Sequence, residues 1–294
     1  MSSTWTKSLI KLIRQTSADL PQDVEAALRK ARRHEKPQSS ARWALDAILA
    51  NIRLARARGA PLCQDTGTLI FYCEAPFRFD TRPLTAAIHA AVRQATGAGS
   101  LRPNTIDSLS GCSCAHNLGP GAPVIHVEFA PRRTVAIRLI MKGGGSENVS
   151  IQYSLPDARL KAGRDLEGVR RCLLAAVVQA QGNGCAPGVL GVCIGGDRAT
   201  GAEYAKRQFL RLLNDHAPEA RLAALERQVL ADAHKLGIGP MGFGGATTLL
   251  GVKIGALARL PASYFVSVAY MCWAFRRRGV VLDAAGRIVR QLYD

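Results

Sequence analysis

The chain has 294 residues, 48% hydrophobic and 21% charged, which excludes a disordered or fibrous polypeptide and allows one large domain or two ordinary ones around a sizeable core. Lysine and arginine number 39 against 22 acidic residues, a net charge of +17. That surplus is spread along the chain without an aromatic-rich or helix-turn-helix signature, so a solvated basic surface, a field for small dianions and a nucleic-acid partner stand in that order.

Residues 4–58 read as helical, beginning with an amphipathic helix over 1–14. No signal-peptide core lies there and no run of ~18 apolar residues occurs anywhere, so a cytoplasmic chain without a membrane helix is expected. Val24, Ala27, Leu28 and Ala31 follow helical spacing behind Pro21. Ala41, Ala44, Leu45, Ile48, Ile52 and Ala55 make a second stripe, with Ser39 or Ser40 as N-cap and Gly59 as terminator. A polar loop over 61–68 leads to a strand at 68–74 and a helix at about 83–95. Strands at 124–129 and 134–141 flank a turn at 131–133. A helix at about 166–181 precedes an apolar strand at 189–194. Helices at about 202–213 and 220–236 follow, then strands at 247–254 and 264–273 and a small hairpin over 280–289. With no repeat, low-complexity tract or linker, the reading is one mixed α/β (α+β) domain over 1–294, helices packed around sheet, with 1–58 its helical N-terminal part.

Several runs carry polar or glycine-rich chemistry. Gly237-Ile-Gly-Pro-Met-Gly242 matches G-x-G-x-x-G, but a helix precedes it and a strand follows, the reverse of the dinucleotide fingerprint. No Walker-type phosphate loop is present. Cys112-Ser-Cys-Ala-His116 is a weak metal pattern, because no second pair of ligands accompanies it, and reads as a loop with incidental thiols. Cys63-Gln-Asp-Thr-Gly-Thr places a thiol, an amide and a carboxylate side by side on a turn, poor material for a core. Lys142-Gly-Gly-Gly-Ser-Glu-Asn148 is either a flexible turn or a nest whose amides approach an anion. The thiols are Cys63, Cys73, Cys112, Cys114, Cys172, Cys185, Cys193 and Cys272. In a cytoplasmic chain they are packing residues, ligands or nucleophiles rather than a disulfide framework.

With these residues the chain resembles the class I, iron–sulfur-dependent fumarase and L-tartrate dehydratase family, and within it the α-subunit or N-terminal catalytic domain. The matching segments are PLCQDTGT (61–68), LR (101–102), KGGGSEN (142–148), GCAPGVLGVCIGG (184–196), LGIGPMGFGGATT (236–248) and PASYFVSVAYMCWAFRR (261–277). They run in family order over nearly all of the chain past residue 40.

The resemblance implies a [4Fe–4S] cluster held by Cys63, Cys185 and Cys272, with one iron left free of protein ligands for Lewis-acid chemistry. It implies that Asp65 takes part in proton transfer, that Gln64 lies at the substrate, that Arg102 pairs with a substrate carboxylate, and that Gly143, Gly144 and Gly145 lie against substrate or cluster. Two departures stand out. Leu260 occupies the place of a family histidine, and the run over 111–117 replaces an Asn- and Thr-rich version. The implied activity is reversible hydration of a small dicarboxylate, fumarate and malate first, tartrate or another 2-hydroxy diacid second. A non-catalytic basic binding protein on the same fold is the alternative from another class. The chain stops soon after Cys272 and offers one strong cation for a dicarboxylate, Arg102, with Arg259 or Arg276 as substitutes. A separate β-subunit, in an α2β2 assembly, is therefore expected.

Overall fold

The computed structural model describes residues 3–293; Met1 and Ser2, included in the first expected helix, lie outside the described residues. In chain order the elements are α1 (Ser3–Ala18), α2 (Gln22–His34), α3 (Ser40–Arg58), β1 (Thr68–Pro76), α4 (Thr81–Gly97), β2 (Val124–Ala130), β3 (Val135–Lys142), α5 (Gly144–Asn148), β4 (Ile151–Ser154), α6 (Leu166–Ala180), β5 (Gly188–Ile194), α7 (Arg198–Arg207), α8 (Ala220–Lys235), β6 (Leu249–Ala256), β7 (Phe265–Met271), β8 (Arg276–Leu282) and β9 (Ile288–Leu292). The mixed α/β class expected from the sequence is what the chain adopts. No helix among the described residues is long and apolar enough to cross a membrane. The chain divides into two compact units. One comprises the residues up to Gln22, Ala50–Gly144 and those from Arg276 on; the other comprises Asp23–Leu49 and Gly145–Phe275.

The first unit is built on a five-stranded sheet in the order β2-β1-β3-β8-β9, with β1 and β2 parallel and the other pairs antiparallel. Alternate residues point to one face, as the pleat requires. Leu69, Phe71 and Cys73 of β1, Ile137, Leu139 and Met141 of β3, and Val280 and Leu282 of β8 form a core with Leu9, Leu12 and Ile13 of α1 and Leu84, Ile88 and Val92 of α4. Burying each of the large apolar side chains contributes about 1.5–3 kcal/mol. β8 begins with Arg276, Arg277 and Arg278, part of the basic surplus read from the sequence as solvated surface. That expectation fails here, since Arg276 is 1% exposed and Arg277 fully buried. Arg276 pairs in register with Met141 and Arg278 with Leu139, so both stand on the helix-covered face. The Arg278 guanidinium donates to Asp19 (2.8 Å) and to the Leu20 carbonyl at the end of α1.

The second unit holds a four-stranded sheet in the order β4-β7-β5-β6. Its large apolar residues, including Leu190, Val192, Val252, Ile254, Val266 and Val268, pack against α6 and α8. The opposite parity is small: Gly191 pairs with Ala269, and Cys193 with Ser267. That shallow face lets α7 lie close, for a Cβ on Gly191 would sit 2.3 Å from the Ala205 carbonyl oxygen. A buried ionic group ties the edge of this unit. Glu226 accepts from Arg211 Nη1 (2.8 Å) and from the Ile254 and Ala217 amides, and Lys253 Nζ donates to the carbonyl and carboxylate of Asp215.

The differences from the sequence reading are local. α5 and β4 are too short to show a period. α7 starts at Arg198, earlier than expected, because the Asp197 carboxylate caps it by accepting from the Ala199 and Thr200 amides. Ser39 caps α3, accepting from the Arg42 amide.

Candidate functional site

In the first unit the turn over 63–67 is organised by Asp65. Its Oδ1 accepts from the Gly67 amide (2.9 Å) and from Asn104 Nδ2 (3.1 Å). Its Oδ2 accepts from the Gly144 amide (2.7 Å), the first residue of α5. One carboxylate thus ties together the turn, the loop after Arg102 and the glycine run. Three donors fix its orientation, and a helix N-terminus is a favourable place for its charge. The glycines are demanded by close approach. A Cβ on Gly143 would lie 2.9 Å from Asp65 Oδ2, and one on Gly67, where φ is +78°, would lie 2.6 Å from the Lys142 carbonyl. The run over 142–148 is therefore neither a flexible turn nor an open nest: its first helical amide is already occupied by Asp65.

Arg102 is exposed and its guanidinium forms no ion pair among the described residues, while its amide donates to the buried Thr66 hydroxyl. The exposed Gln64 side chain makes no hydrogen bond among the described residues. A cavity of about 510 Å³ opens beside Asp65 and Gly144, lined also by Asn104, Thr105, Asn117 and Pro123, a volume suited to a small molecule. A larger one, about 760 Å³, opens among Lys7, Lys11, Arg14, Arg56 and Arg278 and holds none of the expected site residues. Cys63 is half-buried beside Gln64.

The second unit carries Cys185 and Cys272, both half-buried. Tyr270 organises them. Its ring fills the space of two missing side chains: a Cβ on Gly184 would lie 2.5 Å from the ring, and one on Gly188 only 2.3 Å. The loop over 184–188 therefore wraps the ring and presents Cys185 with φ +54°, and the Trp273 amide donates to the Cys185 carbonyl (3.1 Å). Burial pushes the Tyr270 hydroxyl well above its usual range, and the nearby Cys272 and Cys185 add to the shift.

The remaining thiols differ in kind. Cys73, Cys172 and Cys193 are buried, and burial pushes each up to about 12. Cys112 is exposed and Cys114 half-buried in the loop before β2. Neither unit, among the described residues, gathers three or more His, Cys, Asp or Glu side chains into a metal-holding group of its own. Leu260 is 75% exposed. Arg259 is committed to its own loop, donating to the Leu260, Pro261 and Ser263 carbonyls (3.1 Å each) and lying 4.5 Å over the Tyr264 ring.

The structure thus brings Asp65, Gly143 and Gly144 together in one unit, and Cys185 and Cys272 together in the other. Sequence reasoning missed two residues. Asn117 is buried and braces the loop after Arg102: its Oδ1 accepts from the Asn104 and Thr105 amides, and its Nδ2 donates to the Arg102 carbonyl (2.8 Å). Its φ of +60° suits asparagine, the one local signal available. Tyr270 lies within the strand expected at 264–273, with no role assigned to it from the sequence.

A family model described as fumarate hydratase (Fumerase) matches residues 6–281. The chain is 48% identical over 292 residues to a protein of Geobacillus stearothermophilus named as a candidate class I fumarate hydratase, covering 98% of this chain and 57% of that protein. It is 33% identical over 283 residues to a candidate L(+)-tartrate dehydratase subunit alpha of Methanocaldococcus jannaschii, covering 94% of this chain and 97% of that one. The L(+)-tartrate dehydratase subunit alpha of Escherichia coli K12 is 29% identical over 272 residues, covering 91% and 87%. The chain thus spans a little over half the length of the Geobacillus protein and most of either tartrate dehydratase subunit.

Proposed function

Because this chain belongs to the fumarate hydratase (Fumerase) family, we propose that it is a hydro-lyase that reversibly adds water across the double bond of a small dicarboxylate, with fumarate and L-malate the favoured pair. The observation that carries the reading is Asp65, a carboxylate oriented by three donors at the wall of a cavity sized for a small molecule. The higher identity to the fumarate hydratase relative favours fumarate. The second reading is tartrate, which the near full-length match to tartrate dehydratase subunits favours.

Cys63, Cys185 and Cys272 are the proposed ligands of a [4Fe–4S] cluster. The donor chemistry fits: all three are half-buried thiols on loops, whereas Cys73, Cys172 and Cys193 are sealed where the thiolate is disfavoured. When bound, a cluster with one iron free of protein ligands supplies a Lewis acid for the substrate hydroxyl and carboxylate. The chain's own residues do the rest. Asp65, held in one orientation, takes part in moving the proton on carbon. Arg102 offers a forked donor to one carboxylate, and Gln64 adds a further contact. Gly143 and Gly144 let Asp65 reach the α5 amide.

The alpha-subunit names of the tartrate dehydratase relatives support a separate β-subunit, in an α2β2 assembly, with this chain acting as one catalytic domain. Eight free thiols fit a reducing cytoplasm. The test is an anaerobic assay of hydration and dehydration over fumarate, L-malate, the tartrates and mesaconate, with and without the co-expressed β-subunit. Turnover of fumarate and malate above all others supports the reading, and turnover of none of them overturns it.

A further inference from the structure

Arg276 is the most unusual cation of the chain. It is 1% exposed, and its Nε and Nη1 are buried without any hydrogen-bond partner among the described residues. Burying an unpaired charge costs far more than burying an apolar side chain of the same size, so native chains rarely keep one without a partner. Its position in the fold shows where that partner belongs. Arg276 lies at the start of β8, opposite Met141, which stands two residues before the glycine run that follows β3. Its Nη2 is 3.9 Å from the Cβ position of Gly143, and Asp65 Oδ2 is 2.9 Å from that same point. The guanidinium and the catalytic carboxylate therefore flank one glycine, and the two groups form no ion pair. The other spare cation, Arg259, is already spent on three carbonyls and an aromatic ring.

We infer that Arg276 binds one carboxylate of the dicarboxylate substrate, the charge that its buried guanidinium lacks in the free protein; this rests on the substrate class proposed above. The substrate then meets a cation at each end, Arg102 at the surface and Arg276 beneath Gly143. No side chain at Gly143 stands between the guanidinium and Asp65. A site of this kind also selects against monocarboxylates, because only a ligand carrying the second charge compensates the buried one.

The inference makes a paired prediction that a structural arginine does not share. Replacing Arg276 by methionine, an apolar side chain of similar length, removes an uncompensated buried charge. The free protein should melt at a higher temperature than wild type, while affinity for a dicarboxylate falls roughly tenfold or more. The probe is succinate, which has no double bond to hydrate, titrated against the anaerobically purified protein with any subunit that co-purifies, and read by thermal shift. R276K, which keeps the charge on a single-point donor, should recover part of the affinity. A methionine variant that is less stable than wild type without ligand overturns the inference, because the guanidinium then has a partner within the protein. A wild-type protein stabilised by succinate, with R276M stabilised equally, overturns it while leaving the substrate class intact. A wild-type protein stabilised by neither succinate nor fumarate, malate or tartrate overturns the substrate class, and the inference with it.

Discussion

Gly143→Ala isolates the contact that holds Asp65 in place. The new Cβ would lie 2.9 Å from Asp65 Oδ2 and 3.5 Å from its carboxyl carbon, closer than atoms tolerate. The obstructing group is the end of a side chain, so Asp65 swings aside and the backbone stays. The loss is then the 2.7 Å bond from the Gly144 amide. Hydrogen bonds to charged groups contribute about 1.5–3 kcal/mol, which on a rate scale is roughly 10- to 150-fold. The variant should fold, with a melting temperature within a few degrees of wild type, and lose that factor in kcat/KM for dicarboxylate hydration. A double-mutant cycle provides the decisive comparison. If the damage runs through Asp65, Gly143→Ala costs nothing further in an Asp65→Ala background. An equal loss in both backgrounds would refute the reasoning. Gly67→Ala gives the contrast, because it meets the Lys142 backbone at 2.6 Å and needs φ +78°; it should lower stability as well as activity.

Three further outcomes follow from the second unit. Gly188→Ala drives a Cβ to 2.3 Å from the Tyr270 ring and should cost at least the ~1–3 kcal/mol typical of overpacking; combined with Tyr270→Ala in urea unfolding, the cost should fall short of the sum of the two. Removing the buried Glu226 carboxylate by Glu226→Ala strips the half-buried Arg211 and two amides of an acceptor and should lower unfolding free energy by about 3–5 kcal/mol. His234 accepts from the Thr248 amide through Nδ1, and burial, then His34 and Lys30, hold its pKa below 6.5, against the pull of Glu35. The neutral ring is favoured in the folded state, so its contribution is complete above pH 6.5 and is lost as pH falls through the lower folded value. Melting temperature should therefore drop on the acid side of pH 6.5 more steeply in wild type than in His234→Gln, and identical slopes would contradict this.

Much of this architecture is legible in the residues themselves. The stripes of Val24, Leu28 and Ala31 and of Leu45, Ile48 and Ile52 place α2 and α3, because a helix packed on one side must repeat its apolar residues near 3.6. β1, β3 and β5 announce themselves as apolar, β-branched runs. β8 does not, since three arginines open it, and a strand whose charges are buried breaks the pattern that identifies strands. The site divides in the same way. Asp65 stands out because a carboxylate between a thiol and a Thr-Gly pair has no use in a core. Asn117 and Tyr270 stay hidden because their roles depend on partners elsewhere in the chain: the amides of Asn104 and Thr105, and the glycines at 184 and 188. Periodicity reports burial by type and is silent about such pairings. Cys185 and Cys272 are likewise recognisable only through family motifs, their proximity being the work of Tyr270.

The central claim is that this chain is a hydro-lyase whose iron–sulfur group is held by Cys63, Cys185 and Cys272. The direct measurement is iron and acid-labile sulfide per chain after anaerobic reconstitution, in wild type and in Cys63→Ser, Cys185→Ser, Cys272→Ser and Cys172→Ser. The account predicts a four-iron content in wild type and Cys172→Ser, with loss of iron and of dicarboxylate hydration in each of the other three. Full iron content in Cys63→Ser, Cys185→Ser or Cys272→Ser would contradict it.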